Sequence, residues 1–428
     1  MGFEVDMPEG WVEYIFSDAV EINPKRLLKK GEIAPFIEMK ALNPDYRTVE
    51  KISKRLFKGG GSRFKNGDTL FARITPCLEH GKIAYINKLE PNQVGHGSTE
   101  FIVMSGKEGI TDNLFVYYLS RWDEVRNFAI KNMDGTSGRQ RVPHDIFKQI
   151  RFKIPPLPEQ QKIASILGAL DDKIELNHEM NKTLEQMAQA IFKSWFVDFE
   201  PFQDGEFEYN EELGKEIPKG WGVKPVGGSC KVVGGGTPST KVAKYWDGGT
   251  IHWATPKDLS MISSPVLLDT SRKITEEGLE KISSRLLPID TVLLSSRAPI
   301  GYIAIAKVPV AINQGFIAMI PTDKLSGLFL FYWTKENIER IKARSGGTTF
   351  GEINKRNFRP MLVVIPPKEI INQFDNTVCP LFDKITNNEQ ESKNLAQLRD
   401  TLLPKLLSGE IRVNDINLKR DVSKEATV

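Results

Sequence analysis

The sequence predicts an α+β protein: two tandem strand-rich domains joined by two long helices that form an antiparallel coiled coil, the whole arranged as a pseudo-two-fold internal repeat. Three observations predict it. The chain resembles itself at a nearly constant offset; each copy opens with short β-like runs broken by glycine and proline; each copy closes on a long stretch carrying a repeating apolar seam.

The repeat sets the frame. Pro8-Glu9-Gly10-Trp11 returns 210 residues later as Pro218-Lys219-Gly220-Trp221. Gly135-Thr136-Ser137 returns as Gly347-Thr348-Thr349, Ile154-Pro155-Pro156 as Ile365-Pro366-Pro367, and Asp172-Lys173-Ile174 as Asp383-Lys384-Ile385, at offsets of 211 or 212. The centres agree poorly: Gly67-Asp68-Thr69-Leu70-Phe71-Ala72-Arg73 has only a loose counterpart ending at Leu294-Ser295-Ser296-Arg297. Matched ends with diverged centres suggest one scaffold presenting two recognition surfaces, although an old duplication without divided roles leaves the same pattern. The implied boundaries are a domain over 1–156, a long helix over 157–200, an acidic linker over 201–217, a second domain over 218–366, a second long helix over 367–409 and a polar tail over 410–428.

Within each domain, runs such as Thr69–Ile74, Lys82–Ile86, Thr291–Leu294 and Ile303–Ile305 read as strands. From about Glu159 to Phe199 punctuation stops except at Gly168, which reads as a helix of roughly 60 Å at ~1.5 Å per residue. Alternate steps of four and three residues select Ile163, Leu167, Leu170, Ile174, Asn177, Asn181, Leu184, Ala188, Ile191 and Trp195. The second copy gives Phe374, Val378, Leu381, Ile385, Asn388, Ser392, Leu395, Arg399, Leu402 and Leu406. This is a coiled-coil seam with polar middle layers, where asparagines such as Asn177 and Asn388 set register. Paired antiparallel, the helices form a rod that spaces the two domains; alternatively each helix packs on its own domain.

The net charge of +3 conceals alternation. Residues 1–156 carry +4 and 218–366 carry +9, whereas 157–200, 201–217 and 367–410 carry −4, −5 and −2. Basic blocks between acidic ones suit a two-site nucleic-acid binder with protein-binding spacers, and chance variation in surface charge gives the same alternation. There is no apolar run of eighteen residues and no basic-then-apolar start, so a cytoplasmic chain is expected.

Catalytic signatures are missing. Gly59-Gly60-Gly61 and Gly234-Gly235-Gly236 lack a following Gly-Lys-Ser/Thr, and no glycine-rich cofactor loop or Asn/Asp-Pro-Pro-aromatic tetrapeptide occurs. Pro44-Asp45 has no close nuclease partner, and Glu391-Ser392-Lys393 falls in the seam region. His80, His96, His144, His178 and His252 show no metal-ligand spacing, and Cys77, Cys230 and Cys379 lie far apart. A binding role, with no metal and no cofactor held by this chain, is favoured over an enzyme.

Several stretches resemble the specificity subunits of type I restriction-modification enzymes. They are Gly67–Arg73, Gly135-Thr136-Ser137-Gly138, Ile154-Pro155-Pro156-Leu157-Pro158-Glu159-Gln160-Gln161-Lys162-Ile163, Leu293–Gly301, Asn313-Gln314-Gly315-Phe316 and Leu402-Leu403-Pro404-Lys405-Leu406-Leu407-Ser408-Gly409. One departure stands out: Pro366-Pro367-Lys368-Glu369-Ile370-Ile371-Asn372-Gln373 replaces the first copy's Pro-Leu-Pro-Glu-Gln-Gln. The resemblance implies two target-recognition domains reading a bipartite double-stranded DNA site. It also implies helices that dock two modification subunits, which bind S-adenosylmethionine and methylate adenine, and restriction subunits that use ATP and Mg. Candidate DNA contacts are Arg63, Lys65, Arg73, Arg139, Gln140 and Arg141 in the first domain, and Lys257, Arg297, Asn313, Gln314, Lys355 and Arg356 in the second. A free-standing DNA-binding regulator, or a scaffold using the coiled coil for association, is the rival reading.

Overall fold

The computed structural model describes residues 8–136, 138–297, 299–346 and 351–413, so the repeated markers Ser137 and Gly347–Thr349, and Ala298, lie outside the described residues. Contacts divide the chain into two compact units, one built from residues up to Leu176 with those from Ser392 onward, the other from Asn177–Glu391.

In the first unit, strands β1 (Val12–Ile15), β2 (Val20–Ile22), β3 (Ile33–Ile37), β4 (Ser53–Leu56), β5 (Ser62–Phe64), β6 (Thr69–Ala72), β7 (Ile83–Tyr85), β8 (Gly95–Gly97), β9 (Phe101–Gly106) and β10 (Arg151–Ile154) form three sheets. These are β1 with β10, β2-β9-β6-β7, and β4-β3-β8-β5. Helices α1 (Phe16–Ala19), α2 (Asn113–Arg121) and α3 (Asp123–Lys131) precede the long helix α4 (Leu157–Phe196). All four residues of β6 are buried, which is why Leu70-Phe71-Ala72 reads as a continuous apolar run.

In the second unit, hairpin β11 (Phe207–Asn210) and β12 (Lys215–Pro218) precedes β13 (Gly222–Pro225), β14 (Lys231–Gly234), β15 (Ile251–Ala254), β16 (Val266–Leu267), β17 (Arg272–Ile274), β18 (Val292–Ser295), β19 (Ile303–Ala306), β20 (Val310–Ile312), β21 (Phe316–Ile320) and β22 (Leu362–Ile365). Its sheets are β13 with β22, β14-β21-β18-β19-β16, and β17-β15-β20. Helices α5 (Val226–Ser229), α6 (Pro256–Met261), α7 (Glu276–Leu279), α8 (Gly327–Glu336), α9 (Ile338–Ala343) and α10 (Lys355–Phe358) come before the second long helix, α11 (Lys368–Ser408).

Strand register makes the repeat explicit. Thr69 pairs with Met104 and Ala72 with Phe101, as Val292 pairs with Met319 and Ser295 with Phe316. A parallel bridge from Thr48 to Tyr85 matches the parallel pair Val266–Ile305. The insertion between the copies therefore falls inside the diverged centre, and Arg73 corresponds to Ser296 while Ile74 corresponds to Arg297.

The two long helices run antiparallel within each unit. In the first, Asp171 accepts from Arg399 at 2.6 Å, and Glu159 meets Arg412, just beyond α11, at 2.9 Å. In the second, Asn177 donates to Glu391 at 2.9 Å, Asn388 to Asn181 at 2.8 Å and Asn181 to Glu389 at 2.7 Å, while the Phe192 and Phe374 rings lie 5.9 Å apart. Of the seam residues, Ile163, Leu167, Ile174, Asn177, Asn181, Ala188, Phe374, Val378, Ile385, Asn388, Arg399 and Leu406 are buried. Leu170, Leu184, Ile191, Trp195, Leu381, Ser392, Leu395 and Leu402 are half-buried.

One layer of the seam differs between the copies. Asp171 and Arg399 are 2% and 3% exposed, too little for water to screen them, and the Tyr118 hydroxyl donates to the second Asp171 oxygen at 2.6 Å. Against the cost of burial, Asp171 and Asp400 hold the Arg399 guanidinium above its usual pKa. At the equivalent positions of the second unit stand Phe382 and Ala188, with Tyr332 against the Phe382 ring at 5.9 Å. Arg47 braces α4 from the strand-rich domain, bonding Asp172 and, at 3.2 Å, Glu175.

The departure at the second helix start has a packing reason. Buried Gln160 donates to the Ile110 and Pro155 carbonyls at 2.8 and 2.9 Å and accepts from the Asp112 amide at 3.1 Å, tying α4 to the capped start of α2. Its counterpart Ile371 is buried in an apolar core, and the link passes instead to Asp375, which accepts from the α8 cap Ser326 at 2.7 Å.

Removing one partner of the buried pair leaves a charge without its counterion. Arg399→Ala is expected to cost ~3–5 kcal/mol, seen as a lower urea midpoint, and Asp171→Leu combined with Arg399→Met to recover most of that loss. A double variant as unstable as the single one contradicts this account.

Candidate nucleic-acid interface

The turn between β8 and β9, Ser98-Thr99-Glu100, and the turn between β20 and β21, Asn313-Gln314-Gly315, occupy the same place in the two copies. In each, the residue just after the neighbouring strand, β6 or β18, is bound to the turn: Arg73 N–H donates to the Glu100 carbonyl at 3.0 Å and Ser296 N–H to the Gly315 carbonyl at 2.8 Å. The candidate residues gather round these turns.

In the first unit, the backbone of 139–142 lies alongside Arg73 and Thr75. Val142 N–H donates to the Arg73 carbonyl at 2.7 Å, and the Gln140 amide to the Thr75 hydroxyl at 3.1 Å. Arg141 grips Glu100 with three hydrogen bonds of 2.8–3.0 Å; the pair is open to water, so a phosphate can replace the carboxylate at little cost. Arg73 is half-buried with Nη1 2.6 Å from His144 Nε2, and its Nε has no partner among the described residues. Burial pulls the Arg73 pKa down, with Glu100 opposing and Arg141 reinforcing. Burial, and then Arg73, likewise lower the pKa of His144. The His144 ring is placed by Asn23, whose Nδ2 is 2.9 Å from Nδ1 and whose backbone sits in the left-handed region at φ 52°.

Arg63 on β5 is exposed and donates to the Arg26 carbonyl at 3.1 Å. It lines, with Asn23, Lys25, Arg26, Thr99 and His144, a cleft of ≈ 270 Å³ beside that turn. A buried ion pair of 2.8 Å between Arg26 and Asp68 holds this loop, and Asp68 also accepts from the Lys65 amide at 2.8 Å. Lys65 and Arg139 present exposed side chains. The structure thus joins Arg63, Arg73, Gln140 and Arg141 into one cationic surface. It adds Asn23, Lys25, Arg26 and His144, which sequence reasoning missed; the only trace in the sequence was the basic run Lys25-Arg26 beside Asn23-Pro24.

In the second unit, the glycine loop 234–236 packs against the equivalent turn. A β-carbon on Gly235 would stand 2.0 Å from the Ile312 carbonyl oxygen, so only glycine permits this approach. Asn313 folds the turn by accepting from Gly315 N–H at 2.8 Å, and exposed Gln314 accepts from the Thr237 hydroxyl at 2.5 Å. Lys355, in the first turn of α10, reaches Gly234 so closely that a β-carbon there would meet Nζ at 3.2 Å. Arg297 lies 4.0 Å from Glu352, and Lys257 follows Pro256, which abuts Gly315. Arg297, Asn313, Gln314, Lys355 and Lys257 therefore surround one turn. Arg356 is exposed on the same short helix. Asn313 is a turn-former here, leaving Gln314 as the exposed polar side chain.

Among the described residues no group of three His, Cys, Asp or Glu side chains can hold a metal ion, and no helix is long and apolar enough to cross a membrane.

Comparison with known proteins gives a consistent picture. The family described as type I restriction modification DNA specificity domain matches residues 8–186 and again 218–398. The type I restriction enzyme MjaIX specificity subunit of Methanocaldococcus jannaschii is 30% identical over 411 residues, covering 94% of this chain and 89% of that protein. The HindI specificity subunit of Haemophilus influenzae is 29% identical, covering 81% and 87%. A crystal structure of a type I restriction-modification system S subunit from M. genitalium shares the fold at a TM-score of 0.53 and 16% identity, covering 95% of this chain and 98% of that one.

Arg73→Ala and Arg297→Ala are each expected to weaken duplex binding about tenfold in fluorescence anisotropy. Unchanged affinity in both variants removes these turns from the interface.

Proposed function

The chain belongs to the type I restriction-modification specificity subunits, and from that membership we propose that it reads a bipartite double-stranded DNA site, one half with each recognition domain, and directs adenine methylation and restriction by partner subunits. It is a non-catalytic targeting subunit and carries no catalytic cofactor of its own. In this reading two modification subunits bring S-adenosylmethionine, restriction subunits bring ATP and Mg, and the assembly works on DNA in the cytoplasm. The long helices, over 157–200 and 367–409, serve as spacer and docking surface.

The observation that carries the bipartite reading is the contrast between equivalent turns. The same backbone frame presents Ser98, Thr99 and Glu100 beside His144 and Arg73 in one copy, and Asn313, Gln314 and Gly315 beside Lys355 and Ser296 in the other. A common frame with different donors and acceptors is what two unlike half-sites demand, because each base pair shows a distinct pattern in the major groove. Phosphate contacts from Arg141, Arg139, Lys65, Arg63, Lys257, Arg297, Lys355 and Arg356 then supply affinity without sequence preference.

Replacing 218–366 by the corresponding domain of another specificity subunit is expected to change one half of the methylated motif and leave the other intact. Native mass spectrometry of the chain co-expressed with its modification subunit is expected to show one copy with two. A motif altered in both halves contradicts the bipartite reading, and a one-to-one complex contradicts the stoichiometry.

A further inference from the structure

We propose that Arg272 contacts DNA in the second recognition domain, its guanidinium clamped on two indole rings so that its in-plane donors meet a paired acceptor on the duplex. The proposal rests on the DNA-specificity reading above and adds a residue to it.

Arg272, on the exposed face of β17, places its guanidinium carbon 3.6 Å from the centre of the Trp246 ring and 5.6 Å from that of Trp253. The two indoles meet edge to face at 5.0 Å. Each is pinned by its own N–H, Trp246 to the Ser239 carbonyl at 3.0 Å and Trp253 to the Gly236 carbonyl at 3.1 Å. Gly236 belongs to the glycine loop that packs on the 313–315 turn, so the clamp and the candidate interface share one loop.

Stacking uses the face of a guanidinium and leaves its five N–H donors in the plane. Among the described residues none of those donors is taken by a carboxylate or carbonyl, and Arg272 is exposed. A long, flexible side chain held this way has already lost the rotamer freedom that binding otherwise costs. Its rigid fork matches two adjacent acceptors, as in a phosphate or the O6/N7 edge of guanine.

The first domain repeats the device. Gly97 stands four residues before Phe101 as Ile312 stands four before Phe316, and the parallel pairs Ile37–Gly97 and Ala254–Ile312 make Phe36 the counterpart of Trp253. Arg55 lies 4.2 Å over the Phe36 ring. The row continues through His96 and Phe57 to Arg63, with ring spacings of 4.9 and 5.2 Å and Arg63 at 5.9 Å. The ring identities and the register of the arginine differ between copies, and Arg55 also pairs with Glu38, yet both keep an arginine over this strand's aromatic side chain.

The test uses the chain assembled with its modification subunit and a duplex carrying the motif that the wild-type complex methylates. Arg272→Ala is expected to raise Kd about tenfold or more, Arg272→Lys not to rescue it, and both variants to keep the wild-type thermal midpoint. A salt slope reduced by about one identifies a phosphate contact, whereas methylation relaxed at one G·C position identifies a base contact; either supports the proposal. Wild-type affinity, slope and motif in Arg272→Ala overturn it while leaving the DNA reading intact. A wild-type complex without sequence-dependent binding overturns both.

Discussion

Everything else depends on the seam that brings opposite ends of the chain together. The first unit is not a contiguous segment: the core that holds Phe16, Trp122 and Phe147 also contains Leu403, Leu406, Leu407 and Val413. The second core takes Phe192 and Phe196 from α4 and Phe374 and Val378 from α11. Each recognition domain therefore packs on a helix pair rather than a single helix. An isolated helix of this length has no tertiary face to bury, and its stability comes mainly from such packing. The polar layers then fix which residues meet, because Asp171, Asn177, Asn181, Asn388 and Arg399 are buried and reach polar partners across the seam in the observed pairing. An apolar seam alone tolerates slippage that these layers penalise.

On that frame, variation is confined to where it is useful. The strands common to both copies keep their order and register, down to a single parallel bridge, while turns and clefts at one end of the sheets exchange histidine for lysine, serine for asparagine and threonine for glutamine. Loops carried by a rigid scaffold can change specificity without disturbing the core. Gly235 shows the reverse constraint: its close approach to Ile312 places the loop, so this position has no freedom to vary.

Much of this was legible in the sequence because it rests on periodicity and repetition. The doubled markers reveal the two copies, and the four-three spacing reveals the seam, since both are properties of neighbours along the chain. Arg399 falls on the seam by spacing alone; its meaning depends on Asp171, 228 residues away, which no local pattern connects to it. Similarity between Gly67–Arg73 and the segment ending at Arg297 suggested equivalent arginines, but side chains alternate along a strand, and pairing with β9 and β21 shifts the match by one. The Arg272 clamp was invisible for the same reason: Trp253 and Arg272 are joined by strand pairing and Trp246 reaches them from a loop, not by spacing.

The decisive experiment maps methyladenine at base resolution in cells that express the modification subunit with and without this chain. The account predicts a motif in two separated halves that vanishes when the chain is omitted. Methylation without sequence dependence, despite a stable complex, would contradict it and leave the folded pair of domains as a regulator or scaffold.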